Sequence, residues 1–96
     1  MKVMLVCAAG MSSSILMKGI EKSIKKNGLD MEVKAFGVDS VEEYGNEYDI
    51  ILVAPQIAYR IDKVKEKTTK PVVLVNPVDY ATANGDNVLK MIQQSI

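Results

Sequence analysis

The sequence predicts an α/β protein built on a doubly wound, four-stranded parallel sheet flanked by helices. Three observations carry that expectation. Short extended runs recur at residues 3–6, 32–36, 50–53 and 72–75. Those at 50–53 and 72–75 are continuous apolar runs rich in branched residues rather than alternating ones, which marks strands covered on both faces, as in parallel sheets. Helical patterns lie between the runs, and the resulting order βαβαβαβα calls for right-handed crossovers.

Each element has its own signal. The first strand, residues 3–6, gives way to Cys7 and to the small and hydroxyl residues Ala8, Ala9, Gly10, Met11, Ser12, Ser13 and Ser14. A helix is expected over residues 12–27, with Leu16, Ile20 and Ile24 at four-residue spacing and Gly28 as its stop. After the second strand, Ser40 and Glu43 read as a capping box opening a short helix. The third strand ends at Val53, and a helix after Pro55 sets Ile57, Ile61 and Val64 on one stripe. A last helix, near residues 86–95, turns Val88, Leu89 and Ile92 inward.

Ninety-six residues give one domain with a core and no room for a second lobe, so residues 1–96 are expected to form a single domain. Twelve basic and 12 acidic residues cancel without any run of like charge, which speaks against a nucleic-acid partner. One cysteine excludes an internal disulfide, and with no histidine a structural zinc site is not expected. Met1-Lys2 and the apolar residues up to Cys7 faintly mimic a lipoprotein signal. That stretch is far shorter than the roughly 7 to 15 apolar residues of a secretory segment, and nothing later approaches the roughly 18 needed to span a bilayer. The expectation is a soluble cytoplasmic protein, monomeric on its own, that meets any membrane through a partner.

Cys7 is where the chemistry concentrates. In doubly wound sheets ligands bind beyond the carboxyl ends of the strands, and Cys7 falls there, at a strand-to-helix turn. Backbone amides of residues 8–14 and the positive end of the following helix should converge on one spot, an anion cradle around a thiol. It favours both a bound phosphoryl group and a developing thiolate. Phosphoryl transfer through cysteine is the chemistry indicated, with Ala8, Ala9, Gly10, Met11, Ser12, Ser13 and Ser14 as the phosphate-binding residues. A cysteine is also commonly a small buried hydrophobe, and serines commonly cap helices. Capping and phosphate binding use the same helix end and are compatible. Ala54-Pro55-Gln56 after the third strand and Asn76-Pro77 after the fourth should open on the same side, and Pro55, Gln56 and Tyr80 are the expected rim.

Missing residues narrow the field. Without histidine no Cys-His pair can be built. Gly10 stands alone, so neither glycine-rich nucleotide fingerprint is present, and no cofactor or metal is expected. The arrangement is similar to that of low-molecular-weight protein tyrosine phosphatases, whose Cys-x5-Arg loop clamps the phosphoryl oxygens. Ser13 occupies the arginine's place. A loop of amides and hydroxyls holds a phosphoryl group but stabilises the transferring charge less than a bidentate cation does, which suits a carrier. Asp79-Tyr80 superficially resembles the general-acid loop of those phosphatases, although an aspartate in a turn is ordinary.

Along nearly its whole length the chain resembles the IIB component of the lactose/cellobiose/chitobiose family of the bacterial phosphoenolpyruvate-dependent sugar phosphotransferase system. The resemblance is carried by Leu5-Val6-Cys7-Ala8-Ala9-Gly10-Met11-Ser12-Ser13-Ser14, by Ala54-Pro55-Gln56-Ile57-Ala58-Tyr59, and by residues 71–75 with Tyr80 and Gly85. It implies that Cys7 takes a phosphoryl group from a phosphohistidine of a IIA partner and passes it to a sugar bound in the membrane IIC permease. It also implies association with the inner face of the membrane through that permease. Cellobiose, chitobiose and lactose-type β-glucosides all fit as the sugar. Two other readings remain open at the level of sequence: a cysteine phosphatase or arsenate reductase-like enzyme, and a non-covalent module that senses phosphate or a partner.

Overall fold

The computed structural model describes residues 1–7 and 13–95, the side chain of Ser13 excepted. Four strands form one parallel sheet: β1 (Lys2–Cys7), β2 (Glu32–Gly37), β3 (Ile50–Val53) and β4 (Val72–Leu74), in the order β2-β1-β3-β4. β1 is the hub. It pairs along its whole length with β2, from Lys2↔Glu32 to Cys7↔Gly37, and with β3 from Val3↔Ile50 to Val6↔Val53.

Helices cover both faces, as the continuous apolar runs required. α1 (Ser13–Lys26) and α5 (Gly85–Ser95) pack on one face, where Leu16, Ile20 and Ile24 meet Val88, Leu89 and Ile92 over Val3, Leu5, Ile50 and Leu52. α2 (Ser40–Tyr44) and α3 (Ile61–Glu66) cover the other, with Val41 and Val64 over Met4, Val6, Ile51 and Val53. Placing α1 opposite α2 and α3 is the doubly wound arrangement expected from the sequence. α1 ends in a Schellman motif: Gly28 takes φ +62, the Leu29 amide bonds the Ile24 carbonyl and the Gly28 amide bonds that of Lys25.

Several details differ from the sequence reading. The first strand runs on through Cys7, because the neighbouring Gly37 continues the ladder. β4 was expected to be covered on both faces. It is the sheet edge, three residues long; Val73 packs against the α1–α5 layer and Val72 against the α2–α3 layer, so both faces are partly covered, while Leu74 is 38% exposed. The capping box at Ser40 and Glu43 does not form. Asp39 already has helical dihedrals and precedes Ser40, which becomes the first helical residue, and no side-chain cap bond is made there. The helix after Pro55 starts as a 3₁₀ segment, Pro55–Arg60, interrupted at Ile57 (φ −119, ψ 27), and turns α-helical only from Ile61. Ile57 and Val64 are buried and Ile61 half-buried. Two short elements were not anticipated: a 3₁₀ turn, Gly45–Glu47, after α2, and α4 (Pro77–Ala81), a single turn whose Asn76 side chain accepts the Val78 amide at 2.8 Å.

α1 and α5 are joined by a polar contact as well as by apolar packing. The Ser23 hydroxyl donates to Asp86 Oδ1 at 2.7 Å and Lys26 Nζ to Asp86 Oδ2 at 2.9 Å. The hydrogen bonds from Lys26 and then Ser23 hold the Asp86 carboxyl below its ordinary pKa of 3.8. A lowered folded-state value means that the contribution is complete above that ordinary value and is lost as pH falls through the folded one. In acid titrations followed by circular dichroism, Asp86→Asn should therefore lose less stability than the wild type between neutral pH and the region below 3.8. Equal acid sensitivity would exclude a role for this carboxylate. Leu52 is fully buried at the centre of the sheet. Leu52→Ala should cost about 2–5 kcal/mol in urea unfolding, the range for a core leucine that leaves a cavity.

Candidate functional site

The strand order fixes where a site can form. Leaving β1, the chain turns to one side through α1 to β2, whereas β3 lies on the other side, so the switch point falls between the ends of β1 and β3. Cys7 closes β1 at this point. Ala54 stands beside it, its amide donating to the Val6 carbonyl at 2.9 Å, and the Val75 amide donates in turn to the Val53 carbonyl at 2.9 Å. The segments leaving β1, β3 and β4 thus emerge side by side at one edge of the sheet.

Cys7 is 1% exposed and packs with the α2–α3 layer, near Val38, Val53 and Ala54. Its Sγ donates a long hydrogen bond of 3.8 Å to the Phe36 carbonyl. Burial is the part of the packing alternative that holds, and it comes from the strand running one residue further than the apolar pattern. Ala8, Ala9, Gly10, Met11 and Ser12 lie outside the described residues, as does the Ser13 side chain; Ser13 opens α1 and Ser14, exposed, follows it.

At the same end of the sheet an open groove of about 490 Å³ is lined by Ile15, Pro55, Gln56, Pro77, Tyr80 and Ala81, and Cys7, buried in the α2–α3 layer, is not part of its lining. Each expected rim residue, Pro55, Gln56 and Tyr80, lines it, as does Pro77. Pro55 is there because β3 ends two residues earlier, at Val53. Tyr80 is there because the Asn76-capped turn folds α4 back over the end of the sheet, where its ring packs against both core layers. The sequence reading missed Ile15 and Ala81. Ile15 sat beside the inward stripe of α1 and looked like a helix residue only. Ala81 belongs to the turn that was not anticipated. Ile15, Tyr59 and Val78 are 69%, 82% and 68% exposed, on segments that follow β1, β3 and β4, and of the three Ile15 lines the groove. Asp79 does not face the groove as an acid. Its Oδ1 accepts the Asn87 side-chain amide at 3.0 Å and its backbone carbonyl accepts the Asn84 amide at 2.9 Å, fastening α4 to α5.

Among the described residues no group of three or more histidine, cysteine or acidic side chains is placed to hold a metal. No helix among them is long and apolar enough to cross a membrane.

A doubly wound parallel sheet with a thiol at its switch point places the chain among α/β domains whose ligand sites lie beyond the carboxyl ends of their strands. Comparison with known proteins is more specific. The family described as "PTS system, Lactose/Cellobiose specific IIB subunit" matches residues 2–91, and the chain belongs to it. Components of this family are phosphotransferase domains of sugar phosphotransferase systems. The chain is 28% identical over 97 residues to the PTS system lactose-specific EIICB component of Lactococcus lactis subsp. lactis, covering 96% of this chain and 17% of that protein. It is 26% identical to the PTS system oligo-beta-mannoside-specific EIIB component of Bacillus subtilis (strain 168), covering 88% of this chain and 84% of the relative. Among solved structures, the cellobiose-specific phosphotransferase IIB component from Borrelia burgdorferi superposes with a TM-score of 0.83 at 33% identity over 99% of this chain and 90% of the other. The lactose-specific IIB domain from Streptococcus pneumoniae shares the fold, with a TM-score of 0.85 at 18% identity over 99% of this chain and 96% of the other.

Proposed function

We propose that Cys7 is the phosphoryl carrier of a sugar phosphotransferase system, loaded by a phosphohistidine of a IIA partner and discharged onto a β-linked disaccharide in a IIC permease. The observation that carries this reading is the place of Cys7: in a chain of the IIB family, the single thiol ends the central strand at the switch point. In the first transfer the sulfur attacks phosphorus as the donor's P–N bond breaks. The imidazole nitrogen keeps that electron pair and takes the proton the thiol loses. In the second, a sugar hydroxyl oxygen attacks phosphorus, the S–P bond breaks, the sulfur leaves as thiolate, and the hydroxyl proton passes to a base on the permease.

The division of labour follows from the composition. The histidine this chain lacks is the donor's, and the membrane-spanning part is the permease's. Residues 1–96 act as one IIB domain, monomeric on its own, at the inner face of the membrane. Amides and hydroxyls from Ala8 to Ser14 cradle the phosphoryl oxygens, and Pro55, Gln56 and Tyr80 form the rim that partners meet. The names of the relatives, lactose, cellobiose and oligo-β-mannoside, all denote β-linked sugars, and choice among them belongs to the permease that holds the acceptor.

Cys7→Ser should fold as the wild type does and abolish sugar phosphorylation in a system reconstituted with donor and permease. Sugar phosphorylation at the wild-type rate by this variant would exclude Cys7 as the carrier. With Ser13 in the place of a phosphatase arginine, no side-chain cation stabilises attack by water. The purified phosphorylated protein, freed of donor, should therefore keep its phosphoryl group for minutes or longer at neutral pH when followed by intact mass. Decay within seconds, or rapid turnover of an aryl phosphate, would instead identify a hydrolase.

A further inference from the structure

Ile15, Gly19, Ser23 and Lys26 follow one another at spacings of four, four and three, so they form one stripe along α1, distinct from the inward stripe Leu16, Ile20 and Ile24. This stripe meets α4 and α5 in order. Ile15 lines the groove with Tyr80 and Ala81. One turn on, Gly19 approaches the α4–α5 connection so closely that a Cβ there would overlap the Ala83 carbonyl. A Cβ on Gly85 would overlap the Gly19 carbonyl and lie 2.7 Å from Ser23 Oγ. One turn further, Ser23, only 6% exposed, bonds Asp86 together with Lys26.

We propose that Gly19, Ser23, Gly85 and Asp86 form a clamp that positions the phosphoryl-accepting site, by fixing the helix that follows the Cys7 loop against the rim element α4. The proposal rests on the carrier reading of Cys7. The inward stripe of α1 buries apolar surface, and that interaction is non-directional: it holds α1 on the sheet without setting where along the sheet it stops. The backbone approach at Gly19 and Gly85 and the directional Ser23–Asp86 bond set that position. α4 follows α5 closely, because only residues 82–84 join them. Ala83 turns through φ +52, the Asn84 amide bonds the Asp79 carbonyl, and Asn87 bonds the Asp79 side chain. Displacing α5 from α1 therefore carries Tyr80 with it and widens the groove between Ile15 and Tyr80 at the end of the sheet from which the Cys7 loop leaves. Group transfer is sensitive to such shifts, since a misplacement of about 1 Å can cost roughly a hundredfold in rate.

The test is single-turnover phosphoryl transfer from a phosphorylated IIA protein, measured against donor concentration below the melting temperature of every variant. Gly85→Ala should lower the rate at saturating donor roughly ten- to a hundredfold. Ser23→Ala keeps the backbone approach and loses one hydrogen bond, so it should lower the rate roughly two- to tenfold. Ile92→Val, buried near the other end of α5, loses stability without touching the clamp and should transfer at the wild-type rate. A folded Gly85→Ala that transfers at the wild-type rate, or an Ile92→Val that is slowed as much, would overturn the clamp. If Gly85→Ala does not fold, Ser23→Ala decides, and an undiminished rate overturns the proposal. Failure of the carrier reading looks different: the wild type itself would take no phosphoryl group, and the clamp would fall with it.

Discussion

The arrangement depends on one constraint, the burial of β1 from Val3 to Cys7 between two parallel neighbours. Val3, Met4, Leu5 and Val6 have no exposed surface, and their backbone groups pair with β2 on one side and β3 on the other. A strand held on four sides cannot shift register without moving its side chains to the wrong layer, so its last residue has a fixed address. That residue is Cys7. The position of the thiol is therefore set by the sheet, and only its immediate surroundings are left to the loop that follows.

Around that fixed point the remaining pieces are placed by two kinds of force. Apolar burial brings α1 and α5 to one face and α2 and α3 to the other. Directional contacts then set how far each element reaches past the sheet edge. Asn76 caps α4 and brings Tyr80 over the strand ends, Asp79 fastens α4 to α5, and Asp86 fastens α5 to α1. Cys7 is buried whereas the segments about it carry exposed Ile15, Tyr59 and Val78.

Much of this was legible in the sequence, and for identifiable reasons. The four extended runs, the inward stripes of α1 and α5 and the stop at Gly28 follow from periodicity and from left-handed glycine, signals that are local and strong. That Pro55 and Gln56 share one edge with the segment after β4 follows from the doubly wound order, which brings the strand ends together without any knowledge of their contacts. What was not legible depended on long-range partners. The reach of β1 through Cys7 depends on Gly37 in another strand. The exposure of Leu74 depends on β4 having no outer neighbour, and an apolar run cannot show on which side a sheet ends. The capping box at Ser40 and Glu43 failed because Asp39 had already turned helical. The close approach at Gly19 and Gly85 depends on two helices meeting.

The most direct measurement is the mass of the intact chain, and of its fragments, after incubation with phosphoenolpyruvate, the general phosphotransferase proteins and a matching IIA protein. A carrier at the end of β1 gains a single phosphoryl group, located on the fragment that contains Cys7, and gains nothing when the IIA protein is omitted. An unchanged mass with an active donor present, or a phosphoryl group on a fragment without Cys7, would contradict the assignment of this thiol as the carrier.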